Sequence, residues 1–288
     1  MASLPPAAPS GSSQSRTTQA LPPAQTPTNA DRSRRRFASL RTVTALILRE
    51  MSTSYGRTPG GYIWAVLEPL AAILFLSLGF SLIIRTPSLG TSFLLFYATG
   101  YLPFDLYGQV SNTCARALNF SKPLLKYPAV IWLDAILARF ILNSLTSIFV
   151  MMLLLSGVLM VIDSRTVLDM PPVIEAVAMA MLLGLGVGTV NCALIGLYPL
   201  WGITWGILTR PLFLASGVFF LYEDLPPLGQ EILWYNPLMH ITGLMRTGFY
   251  PTYAASYVNG TYVILVSLIL LAMGLVLMGR YHRDILNR

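Results

Sequence analysis

"SYGRTPGGYIWAVLEPLAAILFLSLGFSLII", residues 54–84, decides the class of this fold. Its first part breaks on Pro59, Gly60 and Gly61. From Tyr62 to Ile84 the chain then carries one carboxylate, Glu68, followed by Pro69 and an unbroken apolar run. At about 1.5 Å of rise per residue, such a run crosses a hydrocarbon core of about 30 Å. Similar blocks recur downstream. Of the 288 residues, 55% are hydrophobic and only 11% charged, with a mean hydropathy of +0.63. A soluble domain needs roughly a quarter of its residues charged, so the chain reads as an integral membrane protein. The apolar blocks are continuous rather than alternating, which excludes a β-barrel. Helices remain, because they satisfy every backbone amide within the lipid.

Outward from this stretch the organisation is legible in pieces. Residues 1–36 are rich in Pro, Ser, Ala, Thr and Gln and lack periodicity, the composition of a disordered extension. The basic "RSRRR" at 32–36 follows that segment with no apolar core inside it, unlike a signal peptide. Over 37–57 the pattern turns helical. Phe37, Leu40, Val43, Thr44, Ile47, Leu48, Met51 and Tyr55 form one apolar stripe, with Arg41, Arg49, Glu50, Ser52 and Thr53 between them. This is the signature of a helix lying in the membrane interface.

Residues 58–279 then hold six expected spans: Tyr62–Ile84, Ser92–Cys114, Val130–Ile162, Val173–Leu197, Trp201–Leu221 and Val258–Met278. Gly100 and Pro103 interrupt the second. Residues 222–257, cut by Pro226, Pro227, Pro237 and Pro251, read as two short amphipathic pieces on the outer face, a gate or interfacial padding. Residues 280–288 form a short tail. Most of the 19 Lys and Arg fall before Tyr62, in the loop holding Arg116, Lys122 and Lys126, and in the tail; only Arg85, Arg165 and Arg246 fall on the opposite side. This bias places both termini in the cytoplasm, so the net charge of +7 is mainly a topology signal and not a nucleic-acid footprint.

No phosphate-binding G-x-x-x-x-G-K-[ST], no G-x-S-x-G and no H-E-x-x-H occurs, and His240 and His282 have no neighbours with metal-ligand spacing. Neither catalysis nor a resident cofactor or metal is expected of this chain. Cys114 and Cys192 both lie in apolar segments and read as packing residues. The fourth span carries Ala176, Ala180, Gly184, Gly188, Cys192 and Gly196 at four-residue intervals, a small-residue stripe for close helix packing against a neighbour or a second copy. Charged residues within spans are costly and need a reason. Glu68, Asp105, Asp134, Arg139 and Arg210 either pair with one another or line a polar path. Tyr62, Trp64, Phe220, Tyr222 and Trp234 stand at span ends, where an aromatic belt and a sugar-stacking surface look alike. "NFSKPLLKYP", 119–128, reads as a compact docking knob for a soluble partner or an ordinary basic loop.

Three stretches carry a family resemblance. "LILREMSTSYGRTPGGYIWAVLEPL", "RPLFLASGVFFLYEDLPP" and "NPLMHITGLMRTGFY" resemble, in order, the interface helix with the first span, the fifth span, and the outer region of ABC-2-type permeases. Glu68-Pro69 is most similar to the permeases of capsular polysaccharide exporters. The resemblance covers about residues 40–288 and implies the following. Two copies form a channel that carries lipid-linked polysaccharide out of the cytoplasm across the inner membrane. Two separate ATPase chains bind ATP and Mg. A periplasmic copolymerase and an outer-membrane channel continue the route. The docking residues would be Arg49, Lys122, Leu124, Leu125, Lys126 and Tyr127. The substrate path would hold Tyr62, Trp64, Glu68, Asp105, Arg210, Phe220, Tyr222, Trp234 and Arg246. A permease for O-antigen, teichoic acid or a small hydrophobic drug is the nearby alternative; a secondary transporter or a membrane scaffold is the alternative of a different class.

Overall fold

A computed structural model describes residues 38–54, 61–125, 131–162 and 168–287. The N-terminal extension, the Gly56–Gly60 break, Lys126, Tyr127 and Arg165 lie outside the described residues, as does the side chain of Tyr62. Among the described residues the structure is helical throughout, with no strand. In chain order the helices are α1 (Ala38–Ser54), α2 (Tyr62–Ile83), α3 (Phe93–Ala115), α4 (Ala117–Ser121), α5 (Trp132–Val161), α6 (Met170–Leu197), α7 (Leu200–Leu214), α8 (Pro227–Trp234), α9 (Pro237–Phe249) and α10 (Gly260–Asn287); a 3-10 turn covers Tyr222–Asp224. Four of these are long and apolar enough to cross a membrane: α2, α5, α6 and α10.

Helix α6 is the centre of the bundle. A Cβ built on Gly188 would lie 2.7 Å from Cys114 Cβ and 2.8 Å from Ser111 O; one on Gly184 would lie 3.0 Å from Tyr107 O. On another side, a Cβ on Gly186 would meet Ser267 O of α10 at 2.7 Å, and one on Gly274 would meet Val190 N of α6 at 2.8 Å. Residue numbers climb together along both seams, so α3, α6 and α10 run parallel in direct backbone contact. Only glycine permits this approach, and in lipid close packing of this kind replaces the hydrophobic drive of water. The stripe serves neighbours within the protomer: Gly184 and Gly188 face α3, Cys192 is buried, and Gly196 faces Ile285 of α10.

Helix α5 runs the other way, so that Arg139 near its start meets Thr113 near the end of α3. Asp134 works locally: its Oδ2 accepts from Ile131 N at 3.4 Å and caps α5. Helix α10 continues through the basic tail to Asn287 instead of stopping near Met278, and Ile285 is still buried.

The expected fifth span, Trp201–Leu221, differs most. Helix α7 has 15 residues and ends at Leu214, about 22 Å by helical rise. Pro211 removes a backbone donor near its end, and Gly217 takes φ 71°, a left-handed conformation that ends regular structure. The carbonyls of the irregular stretch that follows are met by side chains of α9 and its cap. Asn236 Nδ2 donates to Ala215 O at 2.9 Å, and Thr242 Oγ1 donates to Ser216 O at 2.8 Å. Arg246 donates to Val218 O at 3.1 Å and to Phe220 O at 3.0 Å. Broken backbone in apolar surroundings persists only when protein satisfies it in this way.

Helix α9 is therefore core and not padding. Leu238, Met239, Ile241, Met245 and Phe249 are buried on it, and Arg246 is 2% exposed. Its neighbour α8 keeps Leu228 and Ile232 exposed. Helix α1 divides its expected stripe between the protomer and its surroundings. Val43, Leu46 and Glu50 are buried, while Leu48 and Met51 are exposed. Glu50 faces α5 and meets Arg139 there.

Candidate functional site

The polar residues of the bundle concentrate on α3. Tyr101, Asp105, Gln109, Asn112 and Arg116 recur at intervals of three or four and so share one face. Two openings flank that face.

The first, of about 230 Å³, lies between α2, α3 and α5. Trp64, Glu68, Asp105, Gln109, Asn143, Thr146 and Ser147 line it, with Gly61 at its rim. It brings together three of the residues expected on the path, Trp64, Glu68 and Asp105. Gln109 Nε2 donates to Asp105 Oδ1 at 3.5 Å. Pro69 is buried behind Glu68, itself exposed. Two carboxylates among amides and hydroxyls, in an otherwise apolar bundle, form a water-accepting cleft that can exchange hydrogen bonds with a hydroxylated solute. Directly beyond it, Val66, Leu70 and Leu74 of α2 and Phe149, Leu153 and Val161 of α5 line an apolar groove of about 870 Å³.

The second opening, of about 690 Å³, lies where α7 splays from α3. Asn112, Arg116, Asn119, Phe120 and Arg139 line one wall, and Gly202, Ile203, Trp205 and Gly206 the other. Trp205 stacks beside Trp201 with centroids 6.3 Å apart, and Trp201 Nε1 donates to Asn191 Oδ1 at 2.8 Å, which fixes the start of α7 against α6. An indole face on one side and two amides with the Arg116 guanidinium on the other make this opening complementary to a polar, flat-faced solute.

Other expected path residues are placed elsewhere. Arg210 is exposed on α7 and makes no ion pair with Glu68 or Asp105 within the protomer. Phe220 is partly exposed, and Arg246 is buried as the clamp on the Val218 and Phe220 carbonyls, with its guanidinium 4.2 Å from the Phe96 ring. At the same end, Tyr222 stacks on Tyr257 at 4.1 Å, and Trp234 meets the His240 ring edge-on at 5.3 Å. These rings pack on one another. The aromatic network at this end is a joint between α8, α9 and the start of α10.

Four of the expected docking residues, Arg49, Lys122, Leu124 and Leu125, lie near the opposite end. Arg49 lies 5.4 Å from the Phe120 ring. Leu124 packs with Ile47 and Leu137 onto Val43, Leu46 and Ala138, and Leu125 packs on the main core. Lys122 is partly exposed on the turn between them. What periodicity alone did not single out is the Glu50–Arg139 ion pair and the cleft residues Gln109, Asn143, Thr146 and Ser147. The polar spacing Asp105, Gln109, Asn112, Arg116 was the available signal for the α3 face.

Comparison with known proteins converges on one family. The chain is 30% identical over 236 residues, 82% of its length and 92% of the relative's, to the polysialic acid transport protein KpsM of Escherichia coli. It is 29% identical over 249 residues, 85% and 92% of the two chains, to the capsule polysaccharide export inner-membrane protein CtrC of Neisseria meningitidis serogroup B. It is 27% identical over 249 residues, with the same coverage, to the capsule polysaccharide export inner-membrane protein BexB of Haemophilus influenzae. The family model of the ABC-2 type transporter matches residues 41–250, from the interface helix through α9, and the chain belongs to that family.

Proposed function

We propose that this chain is the membrane-spanning subunit of an ATP-driven exporter that moves a lipid-linked capsular polysaccharide out of the cytoplasm across the inner membrane. The observation that carries this reading is the polar face of α3, flanked by two openings, in a bundle that is otherwise apolar. The names of the relatives supply the cargo. Helices α2, α3, α5, α6, α7 with its irregular continuation, and α10 make six passes, with both termini cytoplasmic. Two copies assemble, because none of the residues of α7 is buried in the protomer and a second copy supplies the missing cover. ATP and Mg are bound by a separate pair of ATPase chains that grip α1 and the turn after α4. A copolymerase and an outer-membrane channel extend the route.

The test is direct. The full chain, purified from its native membrane, retains an ATP-hydrolysing partner, and deleting its gene removes polysaccharide from the cell surface. Purification that repeatedly yields no nucleotide-binding chain sinks the exporter reading. Surface polymer unchanged by the deletion removes the proposed cargo and leaves another polymer or a hydrophobic drug as substrate.

Arg210 offers a second measurement. A charge on an uncovered apolar helix is expensive in lipid unless the assembled transporter uses it. Arg210→Ala assembles normally with the ATPase, and surface polymer falls by about tenfold or more. Normal polymer from normally assembled complex places Arg210 outside the path.

A further inference from the structure

Four elements meet on one buried guanidinium. Arg139 of α5 pairs through Nε with Glu50 Oε1 of α1 at 3.1 Å, and its Nη1 donates to Thr113 O of α3 at 3.0 Å. Its cationic carbon stands 4.2 Å from the Phe120 ring of α4. Arg49, on the turn of α1 beside Glu50, approaches the same ring. Around this point, Val43, Leu46 and Ala138 form a small core of their own with Leu124 against it. Helix α1, the turn after α4 and the start of α5 are thereby one packed unit.

The contacts continue inward. Thr113 Oγ1 donates to Gln109 O at 2.7 Å, and Gln109 Nε2 donates to Asp105 Oδ1 in the first cleft. Along α5, Asn143 Nδ2 donates to Arg139 O at 2.9 Å, and Asn143 lines that cleft too. From Glu50 to Asp105 the path is an unbroken series of bonded groups.

A buried ion pair is a poor device for holding a fold, since well-packed apolar residues do as well or better. Burial pushes the Glu50 carboxyl above its ordinary range even with Arg139 beside it. Such a pair has better use in fixing one relative placement of the parts it joins.

We propose that the Glu50–Arg139 pair, seated on Phe120, is the positioning link that carries motion of α1 and the α4 turn into α3 and its polar cleft. The proposal rests on the exporter reading, because the motion originates in an ATPase bound to those elements. Arg139 borders the second opening, but its Nε and Nη1 are committed to Glu50 and Thr113 O, so the pair acts through α3. Removing the pair uncouples ATP hydrolysis from transport without dismantling the bundle.

The experiment compares the purified complex and surface polymer for the wild-type chain and the double variant Glu50→Met/Arg139→Met, which removes both charges and retains apolar bulk. The variant assembles with its ATPase and hydrolyses ATP within about twofold of wild type, while surface polymer falls by about tenfold, inside the usual span of coupling effects. Normal polymer output makes the pair ordinary packing and overturns the proposal. So does failure of the double variant to assemble, which makes the pair a structural tie. A wild-type chain that carries no ATPase overturns the exporter reading itself, a result distinct from either.

Discussion

Arg246→Ala leaves little or no folded protein to recover. The guanidinium is almost fully enclosed and bonds two carbonyls, Val218 O and Phe220 O, in a stretch with no helix of its own. Truncation bares both acceptors, at about 1–3 kcal/mol each for a buried unsatisfied group. It also opens space beside Phe96 and Gly100, where a Cβ would lie 2.9 Å from Arg246 Nη2. A loss of about 3–5 kcal/mol consumes much of the stability of an ordinary domain. Arg246→Lys restores part of it, since an ammonium reaches the carbonyls as a point charge without the planar fork. The check is yield in membranes and thermal midpoint after extraction. A variant Arg246→Ala that melts within a degree or two of wild type removes the clamp from the account of this end.

Gly188→Val separates α3 from α6. The new side chain begins 2.7 Å from Cys114 Cβ and 2.8 Å from a backbone oxygen, Ser111 O, which cannot swing aside. Overpacking of this kind costs about 1–3 kcal/mol in ordinary cores. Here both partners are helix backbones, so the upper end of that range applies. Gly157→Val is the matched control: nothing lies within 4 Å of a Cβ there, and the change costs no more than about 0.5 kcal/mol. Thermal midpoints of the two variants decide the matter, and equal values would mean that the α3–α6 seam is looser than its distances.

Hydropathy finds apolar blocks, and α2, α5, α6 and α10 are apolar for long enough to be found this way. It is blind to whether a block stays helical. Trp201 to Leu221 is greasy throughout, yet Pro211 and Gly217 end the helix partway, and the sheltering groups Asn236, Thr242 and Arg246 lie in a distant segment. Periodicity reads only part of α1 for a similar reason. An apolar stripe points to Leu48 and Met51, whereas Glu50 is drawn inward by a partner nearly ninety residues on, which no local pattern records. Of the site, Trp64, Glu68 and Asp105 were legible because polar or amphipathic groups at those depths need a reason, and the structure gathers them in one cleft. Gln109, Asn143, Thr146 and Ser147 were not, because neutral polar side chains inside a helix are common when they bond back to the preceding turn, as Thr146 does to Leu142 O.

The parallel arrangement of α3, α6 and α10 has a mechanical meaning. Three helices locked glycine to backbone can neither slide nor roll without clashing, so together they make a stiff frame. Helices α2 and α7 stand outside that lock. Among the described side chains of α2, Pro69 and Ile73 are buried, and α7 buries none. Regions with few buried contacts open at the least free-energy cost. Both openings have one wall on the frame helix α3 and another on one of these lightly held helices. The width of either opening is thus set where a lightly held helix meets this frame, and motion delivered to α3 would carry the frame as one body against that helix.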